Sequence, residues 1–264
     1  MMEHQQPVNQ VKSAKRWRTA VLISLILAAA IALCAATGVI CWQIRDRQAQ
    51  IEVEQTKLTH MENFNHARTN AYRWVTDAWN RTLADLYADV VFYGDSLTAG
   101  AAWGEWYPYW TCINLGVVGD TVDGLHSRIQ QVEMLMPSKC FLMIGVNDLN
   151  YGASVEMTLD HYDALLADLS GLEESLEMRT YVLSVLPVRE GEMAYATANE
   201  QIRQLNEGIA ALAQQYGMTY VDLHPLFADE AGMLKAVYSY DGLHLTELGY
   251  ERWVEAITGY VDEE

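Results

Sequence analysis

From Val90 onward, short apolar runs alternate with segments whose apolar residues recur at helical spacing. The runs are Val90–Tyr93, Thr111–Asn114, Cys140–Ile144, Tyr181–Leu186 and Thr219–Leu223, and the helical segments include Val122–Met134, Leu159–Leu169, Asn199–Tyr216 and Thr246–Tyr260. A strand with one wet face alternates apolar and polar residues, whereas these runs are apolar nearly throughout and must be covered on both faces. Strand and helix in alternation specify a parallel sheet between two helical layers. A three-layer α/β/α domain with a five-stranded parallel sheet is therefore expected over residues 88–264. Ligands of such open sheets sit outside the carboxyl ends of the strands, so chemistry is expected just after each run.

Gly94-Asp95-Ser96-Leu97 follows the first run, and Asp241-Gly242-Leu243-His244 lies near the far end of the chain. A serine hydroxyl is a poor nucleophile at neutral pH. It needs an imidazole to take its proton and a carboxylate to hold that imidazole in the right tautomer. Asp241 and His244 are close enough in sequence for one tight loop to present both, before a helix for which Thr246 is a candidate N-cap. After the second run comes Asn114-Leu115-Gly116-Val117-Val118-Gly119-Asp120-Thr121, and after the third Gly145-Val146-Asn147-Asp148. Acyl transfer requires donors aimed at the tetrahedral oxygen. A glycine lets backbone approach without a Cβ in the way, and an asparagine amide donates without carrying charge. Taken singly, each block has a plainer reading: Ser96 as a helix cap, Gly119 and Gly145 as turn glycines, Asp241-Gly242 as an ordinary turn pair. The four blocks together, in this order, point to a hydrolytic serine centre.

With Ser96, Gly119, Asn147 and His244 in sequence, the chain resembles the SGNH (GDSL) hydrolase superfamily from about Val90 to its C-terminus, and within it the platelet-activating-factor-acetylhydrolase-like branch. The resemblance implies a flavodoxin-like sheet. It implies Ser96 as nucleophile with Asp241 and His244 completing the triad, and an oxyanion hole made by the Ser96 and Gly119 backbone N–H groups and the Asn147 amide. Gly116 is the alternative for the glycine role; Gly119 is preferred because a glycine leading into Asp-Thr fits that branch. No cofactor is expected, and no Cys, His or acidic spacing resembles a metal site.

Residues 20–42 form an uncharged apolar run of 23 positions, where about 20 suffice to cross a bilayer. Lys12, Lys15, Arg16 and Arg18 precede it, and only Arg45 and Arg47 closely follow. The positive-inside rule then puts 1–19 in the cytoplasm, a single transmembrane anchor at 20–42, and the rest outside. A cleaved signal peptide and a buried core helix are the competing readings. The first usually has a shorter apolar region, and the second would show a polar face. Residues 43–87 are expected to be a helical stalk whose second half docks on the hydrolase domain.

Charge is uneven. Residues 1–60 hold seven Lys+Arg against four Asp+Glu, and the remainder ten against 31, a net of −21. That field repels nucleic acid and anionic surfaces, which argues for a neutral or cationic substrate or simply for solubility. Cys34 and Cys41 lie inside the apolar run. The implied strand order separates Cys112 from Cys140, so no disulfide is expected between them.

Two loops are candidates for substrate selection. Trp103, Trp106 and Tyr107, with Tyr109 and Trp110, crowd the stretch after the nucleophile. Such rings stack on sugars or clasp acyl chains; the competing reading is that most of them pack the first helix on the sheet. Val188 to Tyr195 follows a strand end and is placed for a rim or lid. The expected activity is that of a membrane-anchored, extracytoplasmic serine esterase acting on a small acyl ester, an O-acetyl group on a carbohydrate. Lysophospholipase, thioesterase and O-acyltransferase activities would use the same catalytic residues, and a non-catalytic binding module would keep only the fold.

Overall fold

The computed structural model describes residues 86–190 and 198–263, together with 37, 40, 41, 43–45, 47, 48 and 51, which are helical. The chain divides into two compact units, Met1–Ala67 and Arg68–Glu264. Nearly all of the expected span at 20–42 and most of the segment at 43–87 lie outside the described residues, and no helix among the described residues is long and apolar enough to cross a membrane. At the end of the expected docking segment, Leu86 and Tyr87 are exposed.

The second unit runs β1 (Val90–Gly94), α1 (Ser96–Ala99), α2 (Trp103–Trp106), β2 (Cys112–Gly116), α3 (Val122–His126), α4 (Gln130–Leu135), β3 (Lys139–Met143), α5 (Val146–Asn150), α6 (Val155–Leu176), β4 (Arg179–Leu183), α7 (Asn199–Gln215), β5 (Thr219–Val221), α8 (His224–Phe227), a 3₁₀ turn (Ala236–Tyr238) and α9 (Glu247–Val261). The five strands form one sheet in the order β2-β1-β3-β4-β5, parallel at every pairing. The expected fold class is therefore present, with strand ends moved by no more than three residues. β1 lies between β2 and β3, and Cys112 and Cys140 are free thiols.

Successive strand side chains point to opposite faces, and along β1 and β3 both faces are buried throughout. Val91, Tyr93, Cys140, Leu142 and Val182 pack beneath α3, α4, α6 and α7, with Leu125, Val132, Tyr162, Leu166, Ile202 and Leu205 in one cluster. Val90, Phe92, Phe141, Tyr181 and Leu183 pack on the other side against Trp103, Trp253, Val254 and Ile257 of α2 and α9. Fully burying such a side chain stabilises by roughly 1.5–3 kcal/mol, so apolar runs without alternation are what both faces require.

Two helices depart by more than one residue from the expected bounds. The segment read as one helix over Val122–Met134 is two, α3 and α4, joined by turns in which the Arg128 N–H bonds Leu125 O and the Ile129 N–H bonds His126 O. Those tighter bonds accompany Arg128 turning its side chain into the interior. The helix read over Leu159–Leu169 extends to Val155–Leu176, starting at a Ser154 cap that accepts the Met157 N–H.

Candidate active site

β1 delivers Ser96 to the carboxyl edge of the sheet. At Gly94 a Cβ would fall 2.2 Å from Thr98 Oγ1 and 2.3 Å from Met143 O, so only glycine permits the tight passage from strand into α1. Asp95 caps α1 by accepting the Leu97 N–H at 2.9 Å, which leaves Ser96 as the first helical residue and half-buried. Asn114 of β2 holds the chain beyond: its amide donates to Thr98 O and Ala101 O at 3.0 and 2.9 Å, and its oxygen accepts the Gly116 N–H at 2.9 Å.

The partners arrive on a loop closed by an antiparallel bridge between Ser239 and Leu245. Asp241 Oδ1 accepts the Leu243 and His244 N–H groups at 3.0 and 2.7 Å, and its Oδ2 lies 2.6 Å from His244 Nδ1. His244 Nε2 lies 3.0 Å from Ser96 Oγ. Partial burial pushes the Asp241 carboxyl up, but the bonds from the His244 ring and the two N–H groups outweigh it and leave it below its usual value. The carboxylate is therefore ionised at neutral pH and faces the imidazole nitrogen that must carry a proton if Nε2 is to accept one from Ser96. Thr246 caps α9 as expected, accepting the Gly249 N–H.

The loops after β2 and β3 approach the same edge. Gly119 has φ of +75°, and Tyr151 donates its hydroxyl to Gly119 O at 3.3 Å. Gly116 is required for a different reason: a Cβ there would meet Ala99 N at 2.2 Å, so it packs β2 against α1. Asn147 donates its amide to Asp120 O at 2.9 Å and lies 3.4 Å from Asp95 Oδ2. Asp148 accepts the Val122 N–H at 3.1 Å. Ser96, Asp241, His244 and the loops bearing Gly119 and Asn147 thus come together at one end of the sheet.

A hydroxyl, imidazole and carboxylate in hydrogen-bonded series, with an uncharged amide donor nearby, are the parts of an acyl-transfer centre. Residues 92–252 match the model of the GDSL-like Lipase/Acylhydrolase family. The chain belongs to that family. Acylhydrolases of the family hydrolyse esters, and the present chain is an ester-hydrolysing enzyme. It is 28% identical over 185 residues to "Platelet-activating factor acetylhydrolase IB subunit alpha1" of Homo sapiens, covering 68% of this chain and 75% of that protein. Among solved structures, a Streptococcus pneumonia protein described as a platelet activating factor superposes with a TM-score of 0.67 at 24% identity, over 76% of this chain and 97% of that one. An acetyl xylan esterase superposes with a TM-score of 0.53 at 20% identity, over 65% of this chain and 98% of that one. At those identities the two structures speak for the shared fold.

Two of the aromatic residues read as substrate contacts are core residues of this acylhydrolase. Trp103 is buried, stacks on Phe92 at 3.9 Å between ring centroids and donates its indole N–H to Thr98 O. Tyr107 is buried beside the same ring and bonds Val254 O. Both fill the layer between sheet and α9, where their ring area contributes more than it would in water. Trp106 and Tyr109 are exposed. In the second loop, Val188 is buried and the Arg189 N–H donates to Gly242 O at 2.9 Å, beside Asp241, while 191–197 lie outside the described residues.

Sequence reasoning missed the buried charge beneath the acylhydrolase site. Arg128 donates to Asp120 through Nε and Nη2 at 3.0 and 2.9 Å, and its Nη2 also reaches Gly94 O at 3.1 Å. The guanidinium lies 4.7 Å over the Tyr93 ring. Burial, followed by the Asp120 and Asp148 carboxylates, pushes Asp95 up to about 7, against the opposing Leu97 bond. The available signal was the acidic residue in each block: Asp95, Asp120 and Asp148 each sit within one residue of Ser96, Gly119 and Asn147.

Proposed function

We propose that this acylhydrolase removes a small acyl group, an O-acetyl ester on a carbohydrate, through a covalent acyl-enzyme. The observation that carries the proposal is the series Ser96 Oγ to His244 Nε2 at 3.0 Å and His244 Nδ1 to Asp241 Oδ2 at 2.6 Å. In the proposed reaction Ser96 Oγ attacks the ester carbonyl as His244 takes its proton, and Asp241 stabilises the imidazolium. The oxyanion is met by the Ser96 and Gly119 N–H groups and by Asn147. One amide hydrogen of Asn147 is bonded to Asp120 O; the other, on a long 3.4 Å contact to Asp95 Oδ2, is the one available to the oxyanion. The intermediate expels the alcohol oxygen, which takes the proton from His244. Water then attacks the acyl-Ser96 by the same route and releases the acid.

The openness of the site supports a small acyl group on a larger alcohol: the side chains of His244 and Asp241 are 33% and 41% exposed. A long acyl chain gains about 0.8 kcal/mol per methylene only where it is enclosed. The acetyl xylan esterase among similar structures and the net negative charge fit a neutral acetylated carbohydrate. The deciding experiment is labelling by a fluorophosphonate probe together with hydrolysis of p-nitrophenyl acetate. Wild type is expected to show both and Ser96→Ala neither; labelling that survives in Ser96→Ala would place the nucleophile elsewhere.

We further propose that residues 20–42 anchor the hydrolase domain outside the cytoplasm, on the uncharged run and the four basic residues preceding it. The mature membrane-bound protein is then expected to retain its N-terminus, and a mature chain beginning after residue 42 would replace the anchor by a signal peptide.

A further inference from the structure

We infer that Tyr240 is the surface on which the alcohol half of the ester rests, and that this half is a sugar ring. The inference deepens the esterase reading of Ser96, His244 and Asp241 and rests on it.

In acylation the Ser96 Oγ–carbonyl bond forms, and the bond from carbonyl carbon to alcohol oxygen breaks with its electron pair staying on that oxygen. The oxygen then takes the proton that His244 received from Ser96. It must lie within hydrogen-bond reach of Nε2, so whatever flanks the His244 ring flanks the alcohol.

Tyr240 does so. Its ring stacks on the His244 imidazole with 6.0 Å between centroids and 16° between planes. Nearly parallel rings that far apart are offset rather than superposed, so the phenol extends a flat surface beyond the imidazole.

The ring is presented rather than packed. Tyr240 is 71% exposed, in contrast to the buried Trp103 and Tyr107. It is also firmly carried. The Tyr240 N–H donates to His244 O at 3.4 Å, and Ser239 Oγ donates to the same carbonyl at 2.8 Å while accepting the Gly242 N–H at 2.9 Å. Aromatic surface and imidazole therefore belong to one closed loop, and little freedom is lost when a ligand settles on it.

An alkyl chain gains little from one open ring beside the part-exposed Asp241 carboxylate, because most of the chain stays wet. A pyranose gains from the same surface. One face of the sugar offers C–H groups to the ring while its hydroxyls remain in water, and a phenol supplies the amphipathic partner. A neutral sugar also avoids repulsion by the acidic domain.

The test compares acetates that differ only in their alcohol: methyl tri-O-acetyl-xylopyranoside, ethyl acetate and hexadecyl acetate, hydrolysed by the full chain. The readout is the ratio of kcat/KM for the pyranoside to that for ethyl acetate. Tyr240→Ala is expected to lower this ratio roughly three- to tenfold, mainly through KM, whereas Tyr240→Phe and Tyr240→Trp retain it. An unchanged ratio in Tyr240→Ala, or a loss confined to hexadecyl acetate, overturns the inference. So does an equal fall on all three esters, which would make Tyr240 a support for His244. Fluorophosphonate labelling separates the two levels: no labelling of Ser96 removes the esterase reading and this one together, while normal labelling with an unchanged ratio removes only this one.

Discussion

Ser96 and His244 meet across 148 residues of chain, and the two sides of that contact are built differently. The Ser96 side belongs to the core. Asp95, Asp120, Asn147 and Asp148 are buried, and their bonds tie the loops after β1, β2 and β3 to one another. The His244 side is local and open. Asp241 and His244 are joined by bonds spanning two or three residues, on a loop closed by the Ser239–Leu245 bridge, with both side chains part-exposed. The Ser96 side combines stability and chemistry in the same residues, so changing it disturbs the fold as well as the reaction. On the His244 side the Asp241 carboxylate makes only local bonds, so the two are expected to separate there.

Asp241→Asn probes the open side and carries the larger effect. An amide there donates where Nδ1–H needs an acceptor, and the tautomer it favours places a proton on Nε2, where Ser96 requires a free lone pair. In a serine protease triad the same exchange lowers kcat by about 10⁴, and here kcat for p-nitrophenyl acetate is expected to fall at least about a hundredfold, about 2.7 kcal/mol of barrier. The thermal midpoint should hardly move, because one part-exposed hydrogen bond contributes only about 0.5–1.5 kcal/mol and the asparagine oxygen can still accept the Leu243 and His244 N–H groups. Near-normal turnover in a folded Asp241→Asn protein would reduce the site to a Ser96–His244 pair. A large fall in the midpoint would instead show that the loop is as structural as the core side.

What could be read from sequence follows the same division. Strands were legible because a sheet covered on both faces leaves an unmistakable mark, and β1 to β4 differ from the expected runs only at their ends. The meeting of Asp241 with His244 was legible because Asp241, Gly242, Leu243 and His244 interact within one short segment, so local spacing contains the geometry. The buried network was not, since nothing in the periodicity of 122–134 says that Arg128 leaves the helix surface to reach Asp120 and Gly94. Nearness to Ser96 in sequence also misled for Trp103 and Tyr107. The chain turns at Gly94, and α2 then folds back onto the face bearing Phe92, away from the carboxyl edge. Tyr240 shows the converse: its contact with His244 is stacking between two rings on a closed loop, which a run of residue names does not display.

Asp95→Asn probes the buried side with a smaller effect whose size depends on pH. Asp95 is 1% exposed, and burial, reinforced by the Asp120 and Asp148 carboxylates, raises it from 3.8 to about 7. A carboxyl whose folded value is raised binds its proton more tightly in the folded state, so deprotonation works against folding. The resulting penalty is absent below about pH 3.8, grows as the pH rises, and is complete above about pH 7. Asparagine can accept the same Leu97 N–H and never ionises. Relative to wild type, Asp95→Asn should therefore gain about 2.5 kcal/mol more stability at about pH 8 than at about pH 5, following roughly 1.36 kcal/mol per unit across the part of the window between about pH 5 and the folded value. Urea unfolding of both proteins at the two pH values measures this directly, and the subtraction cancels every titrating group they share. A gain of the same size at both pH values would mean that Asp95 is ionised throughout. Asn147 would then face a permanent anion at 3.4 Å, and releasing its amide to an oxyanion would require breaking a charged hydrogen bond rather than a weak neutral one.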